Sequence, residues 1–233
     1  MGTMRLWTAI FALLLIFLLP FVQFAATKPA DRPNIIFILT DDQDSTLGSL
    51  DYMPKLNALL TQNGITFSNF FVTYSLCCPS RASILRGQYP HNTQVVGNEP
   101  PLGGFLKFHQ LGLENSTIAT WLHDEGYRTG LLGKYVNGYP SRSNQAYVPP
   151  GWDEWYSSTR GDAYSEYNYQ LNENGKLVPY GKLPEDYLTD VLGRKAMDFI
   201  QRAPSFGQPF FVFLATFAPH QPATPAPPSP PSP

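Results

Sequence analysis

Cysteine is almost missing from this chain: its 233 residues include only two, Cys77 and Cys78, and these are adjacent. Neighbouring cysteines build no disulfide framework and two thiols cannot complete a four-ligand zinc site, so both need another reason to be present. An excess of charge of either sign is missing too. Sixteen Lys and Arg against eighteen Asp and Glu leave a net charge of −2. That balance provides no basic field and excludes nucleic acid as a partner; an anionic ligand must be met by local cations. Charged residues make up only 15% of the chain and aromatics 14%, which argues against general disorder.

What is present begins with an apolar run, Leu6 to Phe24, behind Arg5 and ahead of the small residues Ala25 and Ala26. It reads as a secretory signal peptide over residues 1–26. The rival reading is an uncleaved anchor, the one case in which the chain meets a membrane. Either way the remainder is exported, to be secreted, periplasmic or lysosomal according to the host. There, Asn115 in Asn115-Ser116-Thr117 is a candidate glycan acceptor. A catalytic domain is expected over 31–221, followed by a Pro-rich tail over 222–233 that reads as extended or disordered.

Within the domain, the apolar run Asn34 to Leu39 predicts a strand covered on both faces. Met53 to Leu60 reads as a short helix and Ile65 to Val72 as extended chain. Pro79 to Leu85 and Thr117 to Glu125 predict helices closed by Gly87 and Gly126, and Arg128 to Gly133 a strand. Gly138 to Pro184, dense in Gly, Pro, Tyr, Asn and Ser, reads as long surface connections with one hairpin around Asn174-Gly175. Tyr187 to Arg202 has helical apolar spacing interrupted by Lys195, and Pro209 to Ala215 predicts a buried strand. The alternation implies an α/β sandwich around a largely parallel central sheet flanked by helices.

In open α/β sheets, ligands bind beyond the carboxyl ends of the strands. Asp41 and Asp42 follow the first strand, Lys134 the third, counting Ile65 to Val72 as the second, and His220 lies a few residues beyond the last. The two acids offer hard oxygens suited to Ca²⁺ or Mg²⁺, or they simply cap a turn. Cys77-Cys78-Pro79-Ser80-Arg81 places Pro in the first turn of a helix, with the cysteines at its positive end. Arg81, four residues after Cys77, comes to the same side, and its fork suits sulfate or phosphate oxygens. Read locally, inert packing of both cysteines stays open.

The stretch Cys77-Cys78-Pro79-Ser80-Arg81-Ala82-Ser83-Ile84-Leu85-Arg86-Gly87 resembles the signature of the type I sulfatases. Gly87-Gln88-Tyr89-Pro90-His91-Asn92 and the opening Arg32-Pro33-Asn34-Ile35-Ile36 to Asp41-Asp42 resemble that family as well. The resemblance implies an alkaline-phosphatase-like fold and oxidation of Cys77 to formylglycine by a formylglycine-generating enzyme. It also implies one Ca²⁺ ion near Asp41, Asp42 and Cys77, and hydrolysis of a sulfate monoester with Arg81 stabilising the nucleophile. Gly133-Lys134-Tyr135 is similar to the family's Gly-Lys element, whose lysine contacts sulfate, and Asn137 follows as in the N-acetylglucosamine-6-sulfatase branch. That branch points to a sulfated amino sugar, with aryl sulfates as the wider class. Ala218-Pro219-His220-Gln221-Pro222 resembles the Pro-His-x-Pro element, whose histidine binds the ester or protonates the leaving oxygen.

The resemblance covers Arg32 to about Pro227, the amino-terminal half of much longer family members. The rest of the calcium shell, another active-site lysine and further sheet strands are expected beyond it, so the fold reads as truncated. Two alternatives remain. One is a non-catalytic remnant that binds sulfated glycans or is inactive. The other is a phosphomonoesterase or phosphonate hydrolase of the alkaline phosphatase superfamily, against which Cys77 argues. His91, His109 and His123 read as structural or surface residues.

Overall fold

A computed structural model describes residues 32–227; the expected signal segment and the last six residues lie outside the described residues. Six strands form one sheet in the order β1-β6-β2-β3-β4-β5. They are β1 (Ile35–Leu39), β2 (Arg128–Gly133), β3 (Glu154–Asp162), β4 (Tyr167–Glu173), β5 (Lys176–Pro179) and β6 (Phe210–Ala215). The first four in that order are parallel, whereas β3-β4 and β4-β5 are antiparallel. The five main helices are α1 (Cys77–Arg86), α2 (Pro90–Thr93), α3 (Gly104–Gln110), α4 (Ile118–Asp124) and α5 (Leu188–Phe206). None of the described helices is long and apolar enough to cross a membrane.

Side-chain alternation along the central strand shows how two layers of helix are held. Phe211, Phe213 and Ala215 of β6 face a core shared with α1, α3 and α4, while Phe210 and Val212 face one shared with α5. Leu131 and Leu132 of β2 divide in the same way. A strand covered on both faces needs apolar residues at every position, hence the unbroken runs in the sequence. Each fully buried Leu or Phe contributes roughly 1.5–3 kcal/mol.

The strand β1 departs from expectation. Ile35, Phe37 and Leu39 pack on the first core, but Ile36 and Ile38 are each 51% exposed. It is an edge strand, so only one of its faces is covered. Ile65 to Val72 is also corrected: it forms no strand and is exposed throughout, since β propensity without a pairing neighbour makes no ladder. The short helix expected over Met53 to Leu60 appears as a turn at Pro54–Leu56 running into a π-helical turn at Asn57–Thr61.

The stretch Gly138 to Pro184 contains three strands rather than loops. The hairpin at Asn174-Gly175 is there, with φ of 53° and 90°, the left-handed pair a tight two-residue turn demands. The β3-β4 pair was hidden because Ser157 to Asp162 is polar throughout. Helix α4 starts on a reciprocal cap: Thr120 Oγ1 accepts from Thr117 N–H at 2.9 Å, and Thr117 Oγ1 faces Thr120 N–H at 3.5 Å. Helix α5 runs past Arg202 and through Pro204, its last turn held by Phe206 packing on Phe199 at 5.4 Å. Lys195, the interruption in its apolar stripe, reaches Glu173 at 2.8 Å. The start of the tail is seated rather than loose, for Tyr187 Oη donates to the Thr224 carbonyl at 3.0 Å.

Two buried details suggest measurements. Gly133 ends β2 at a φ of 109°, and a Cβ there would stand 1.9 Å from the Ala215 carbonyl oxygen. Gly133→Ala is therefore expected to cost about 3 kcal/mol or more, read as a lower urea midpoint; an unchanged midpoint would show that the strand end can yield. Glu166, fully buried, accepts the N–H and hydroxyl of Thr189, both at 2.8 Å, and so caps the first turn of α5. Its other oxygen has no partner. Burial pushes its carboxyl above the ordinary 4.5, against the lowering pull of the Thr189 hydrogen bonds. The native state then holds a proton that the unfolded chain has lost, so stability falls as pH rises through the window above 4.5. Glu166→Gln should flatten that fall and add about 1 kcal/mol at neutral pH. Urea unfolding at several pH values reads both, and an unaltered slope would count against a titrating Glu166.

Candidate active site

Strand ends bring the predicted residues together. Asp41 follows β1, its N–H donating to the Ala218 carbonyl at 3.3 Å, and Lys134 follows β2, its N–H donating to Ala215 at 2.8 Å. Parallel β1, β6 and β2 thus deliver a carboxylate and an ammonium to one edge. Asp41, Arg81 and Lys134 are all buried, with 4, 3 and 3% exposure. Lys134 Nζ donates to Asp41 Oδ2 in a short ion pair. Arg81 Nη2 approaches Asp41 Oδ1 at 3.4 Å and Nη1 donates to the Lys134 carbonyl at 2.7 Å. One anion therefore holds two cations, leaving a local excess of positive charge. Burial lowers the Arg81 pKa and Asp41 raises it, with a net lowering.

Cys77 opens α1, half-buried, its Sγ 3.8 Å from Asp41 Oδ1. The helix start offers fewer N–H donors than expected. Cys78 N–H goes to Asn98 Oδ1 at 2.9 Å, Ser80 N–H to the Leu76 carbonyl at 2.9 Å, and Pro79 has none. An anion here meets the helix dipole and the side-chain cations instead of a ring of amides. Cys78 is fully buried and packs with Ala82 and Leu85. Burial pushes its thiol up, with nearby backbone N–H groups and Arg81 pulling the other way.

His220 completes the group from the loop after β6. Atoms of Asp41, Cys77 and His220 lie within 4.8 Å of one another. Its Nδ1 is 2.5 Å from the Gln221 carbonyl, which only accepts, so Nδ1 carries a proton and Nε2 faces Asp42 Oδ2 at 3.3 Å. The Asp42 side chain is 62% exposed and does not enter the buried cluster. Asn137 is apart from these groups: its Oδ1 is buried without a partner, and it lines the hollow beside Lys134.

Two contributors were missed by sequence reasoning. Tyr164 lies between the charged groups, its ring 4.9 Å from Lys134 Nζ and 4.7 Å from the His220 ring. It falls in the stretch read as loop, and no motif marks it. Glu114, 3% exposed, gathers Tyr135 Oη at 3.2 Å, Tyr147 Oη at 3.1 Å and His109 Nδ1 at 2.5 Å, fixing the chain just after Lys134. Burial, then Glu114, pushes the Tyr135 phenol up. His109 is thus a structural residue, as expected. His123 rests 3.5 Å from Asp153, and His91 stacks on Tyr89.

Residues 33–232 match the family described as Sulfatase. This chain belongs to the sulfatase family. It is 43% identical over 201 residues to human N-acetylglucosamine-6-sulfatase, covering 84% of this chain and 36% of that protein. An extracellular sulfatase homologue of Drosophila melanogaster is 39% identical over 192 residues, 81% of this chain and 16% of its own length. A protein solved in complex with its substrate D-glucosamine-2-N,6-O-disulfate superposes with a TM-score of 0.61 at 25% identity, over 84% of this chain and 36% of that one. A phosphonate monoester hydrolase from Silicibacter pomeroyi gives 0.55 at 25% identity, over 84% and 43%. The fold is accordingly the alkaline-phosphatase-like α/β sandwich. This sulfatase chain spans about a third of the length of the first curated relatives it matches.

Proposed function

We propose that this chain carries the nucleophile-bearing part of a sulfuric ester hydrolase that acts on a sulfated amino sugar after Cys77 has been converted to formylglycine. The observation that carries the reading is the placement of Cys77 at the start of α1 against Asp41, which itself holds Arg81 and Lys134. Sulfate leaving an alcohol concentrates negative charge on oxygen. Lys134 and Arg81 meet that charge in a site where burial strengthens it. His220, with Nε2 facing Asp42 Oδ2 at the rim of the cluster, is placed to hand a proton to the leaving oxygen. Formylglycine supplies a hydrated aldehyde hydroxyl as nucleophile, a route that a thiol lacks.

The donors here fit one side of a calcium shell. Asp41 provides hard carboxylate oxygens with the position of Cys77 adjoining, Asp42 would have to turn in from its exposed place beside His220 to add more, and calcium takes roughly six to eight oxygens. The remaining ligands must come from water or from outside the described residues. When bound, the ion would supply charge neutralisation at the sulfate oxygens. Export fits the extracellular naming of relatives, and Asn115 is exposed and open to a glycan.

The test is co-expression with a formylglycine-generating enzyme, peptide mass spectrometry across Cys77, and assay of an aryl sulfate, a glucosamine sulfate and a phosphonate ester. It is run on this chain and on the longest product its source makes. An aldehyde at Cys77 with calcium-dependent sulfate release is expected. A longer product that carries the aldehyde and releases no sulfate would remove the reading, and preference for the phosphonate would replace it.

A further inference from the structure

The two edges of the sheet are unlike. At one end β5 opens on Lys176 and closes on Pro179, residue types that keep a free edge from pairing with another chain. At the other end β1 reads Ile35-Ile36-Phe37-Ile38-Leu39, with no charge, no proline and an unbroken register against β6. The Leu39 carbonyl accepts Thr216 N–H, and Asp41 N–H goes to the Ala218 carbonyl, so the odd-numbered residues turn their backbone groups toward β6. Alternation turns the N–H and C=O of Ile36 and Ile38 outward, and among the described residues β1 pairs with no strand but β6.

Apolar surface lies on both sides of that free edge. Ile36 and Ile38 are half exposed on one face. On the other, Phe70, Phe71 and Val72, which are 80, 82 and 57% exposed, border a hollow of about 490 Å³ together with Phe37 and Leu39. These five exposed side chains offer on the order of 600 Å² to water, as much as the largest apolar patch of a typical monomer. Two copies meeting there would remove about 1,200 Å², the lower end of what stable interfaces bury. The strand is also complementary to itself. Set antiparallel about a two-fold axis at Phe37, Ile36 of one copy falls opposite Ile38 of the other, and the reverse. Each such pair exchanges both of its N–H···O=C bonds and sets isoleucine against isoleucine.

We propose that β1 is an interface strand whose occupant is a second copy of this chain, paired antiparallel about Phe37 so that one sheet runs through both copies. The pairing is independent of any activity at Cys77.

The test is sedimentation equilibrium of the chain as its host exports it, from about 1 to 100 μM, with residue-resolved hydrogen exchange across the same range. A dimer with a micromolar dissociation constant is expected, and exchange should slow most at the Ile36 and Ile38 amides as concentration rises. Ile38→Lys should weaken association at least about tenfold. Adding Ile36→Glu to it sets opposite charges across each pair and should restore most of the loss. Leu177→Lys, on the guarded edge strand β5, should change nothing. Melting curves confirm that each variant is folded, and the exchange pattern of the unaltered chain decides the edge even where a variant fails to fold. A chain that stays monomeric throughout, open-ended oligomers in place of a closed pair, equal losses from Ile38→Lys and Leu177→Lys, or no recovery on adding Ile36→Glu would overturn the proposal. So would a longer product that stays monomeric yet protects Ile36 and Ile38, since a strand of its own chain would then hold the edge.

Discussion

Cys77→Ala is expected to lower sulfate-ester turnover by a factor on the order of 10⁴ or more, with little change in the melting temperature. The asymmetry follows from position. Cys77 is half-buried, and the contact described for its Sγ is the 3.8 Å approach to Asp41, so an alanine leaves the packing of α1 intact. Cys78, Ala82 and Leu85 do that packing from the other side of the helix. Removing the nucleophile takes away the bond-forming atom itself, which the neighbouring cations cannot replace. Activity assays and melting curves on the same preparation check both halves. A variant that keeps its turnover would mean that another group attacks the ester, and a variant that fails to fold would make Cys77 a packing residue.

Asp41→Asn should do the opposite to stability. It leaves Arg81 and Lys134, both 3% exposed, without the anion that holds them. Breaking a buried pair by removing one partner typically costs about 3–5 kcal/mol, because the remaining charge stays desolvated. For a domain of this size that corresponds to a melting temperature lower by roughly 10 °C. Turnover falls with it, since the two cations lose their placement. Adding Lys134→Met to Asp41→Asn removes one stranded charge and should recover part of the stability. Thermal unfolding of the single and double variants decides the matter, and a single variant as stable as the parent would show that water already compensates the cluster.

How much of this was legible in the sequence depended on what each segment packs against. Phe210 to Ala215 and Arg128 to Gly133 lie inside the sheet, where burial on both faces forces unbroken apolar runs, and both were read to within a residue. The β1 run looks identical, but its place at the sheet edge is a property of neighbours and leaves no mark on Ile36 and Ile38. Ser157 to Asp162 failed in the reverse direction: its strand is held by backbone pairing to β4 and carries few apolar side chains, so period-two reasoning had nothing to find. At the candidate site, Asp41, Cys77 and Lys134 could be singled out because each follows or opens a recognisable element, and His220, five residues beyond β6, because of the Pro-His-x-Pro resemblance. Tyr164 and Glu114 were not, since what defines them is convergence of partners from distant segments: Lys134 and His220 for one, residues 109, 135 and 147 for the other.

The unequal burial of the adjacent cysteines also gives the protein an internal standard. Cys78 is sealed and its thiol is pushed up, so an alkylating reagent added to the native fold labels Cys77 first. Denaturation then exposes Cys78 in every molecule, whatever the state of its neighbour. The ratio of native to denatured labelling therefore reports the fraction of molecules whose Cys77 is still a thiol, and a preparation that has been fully oxidised to the aldehyde is silent until it is unfolded.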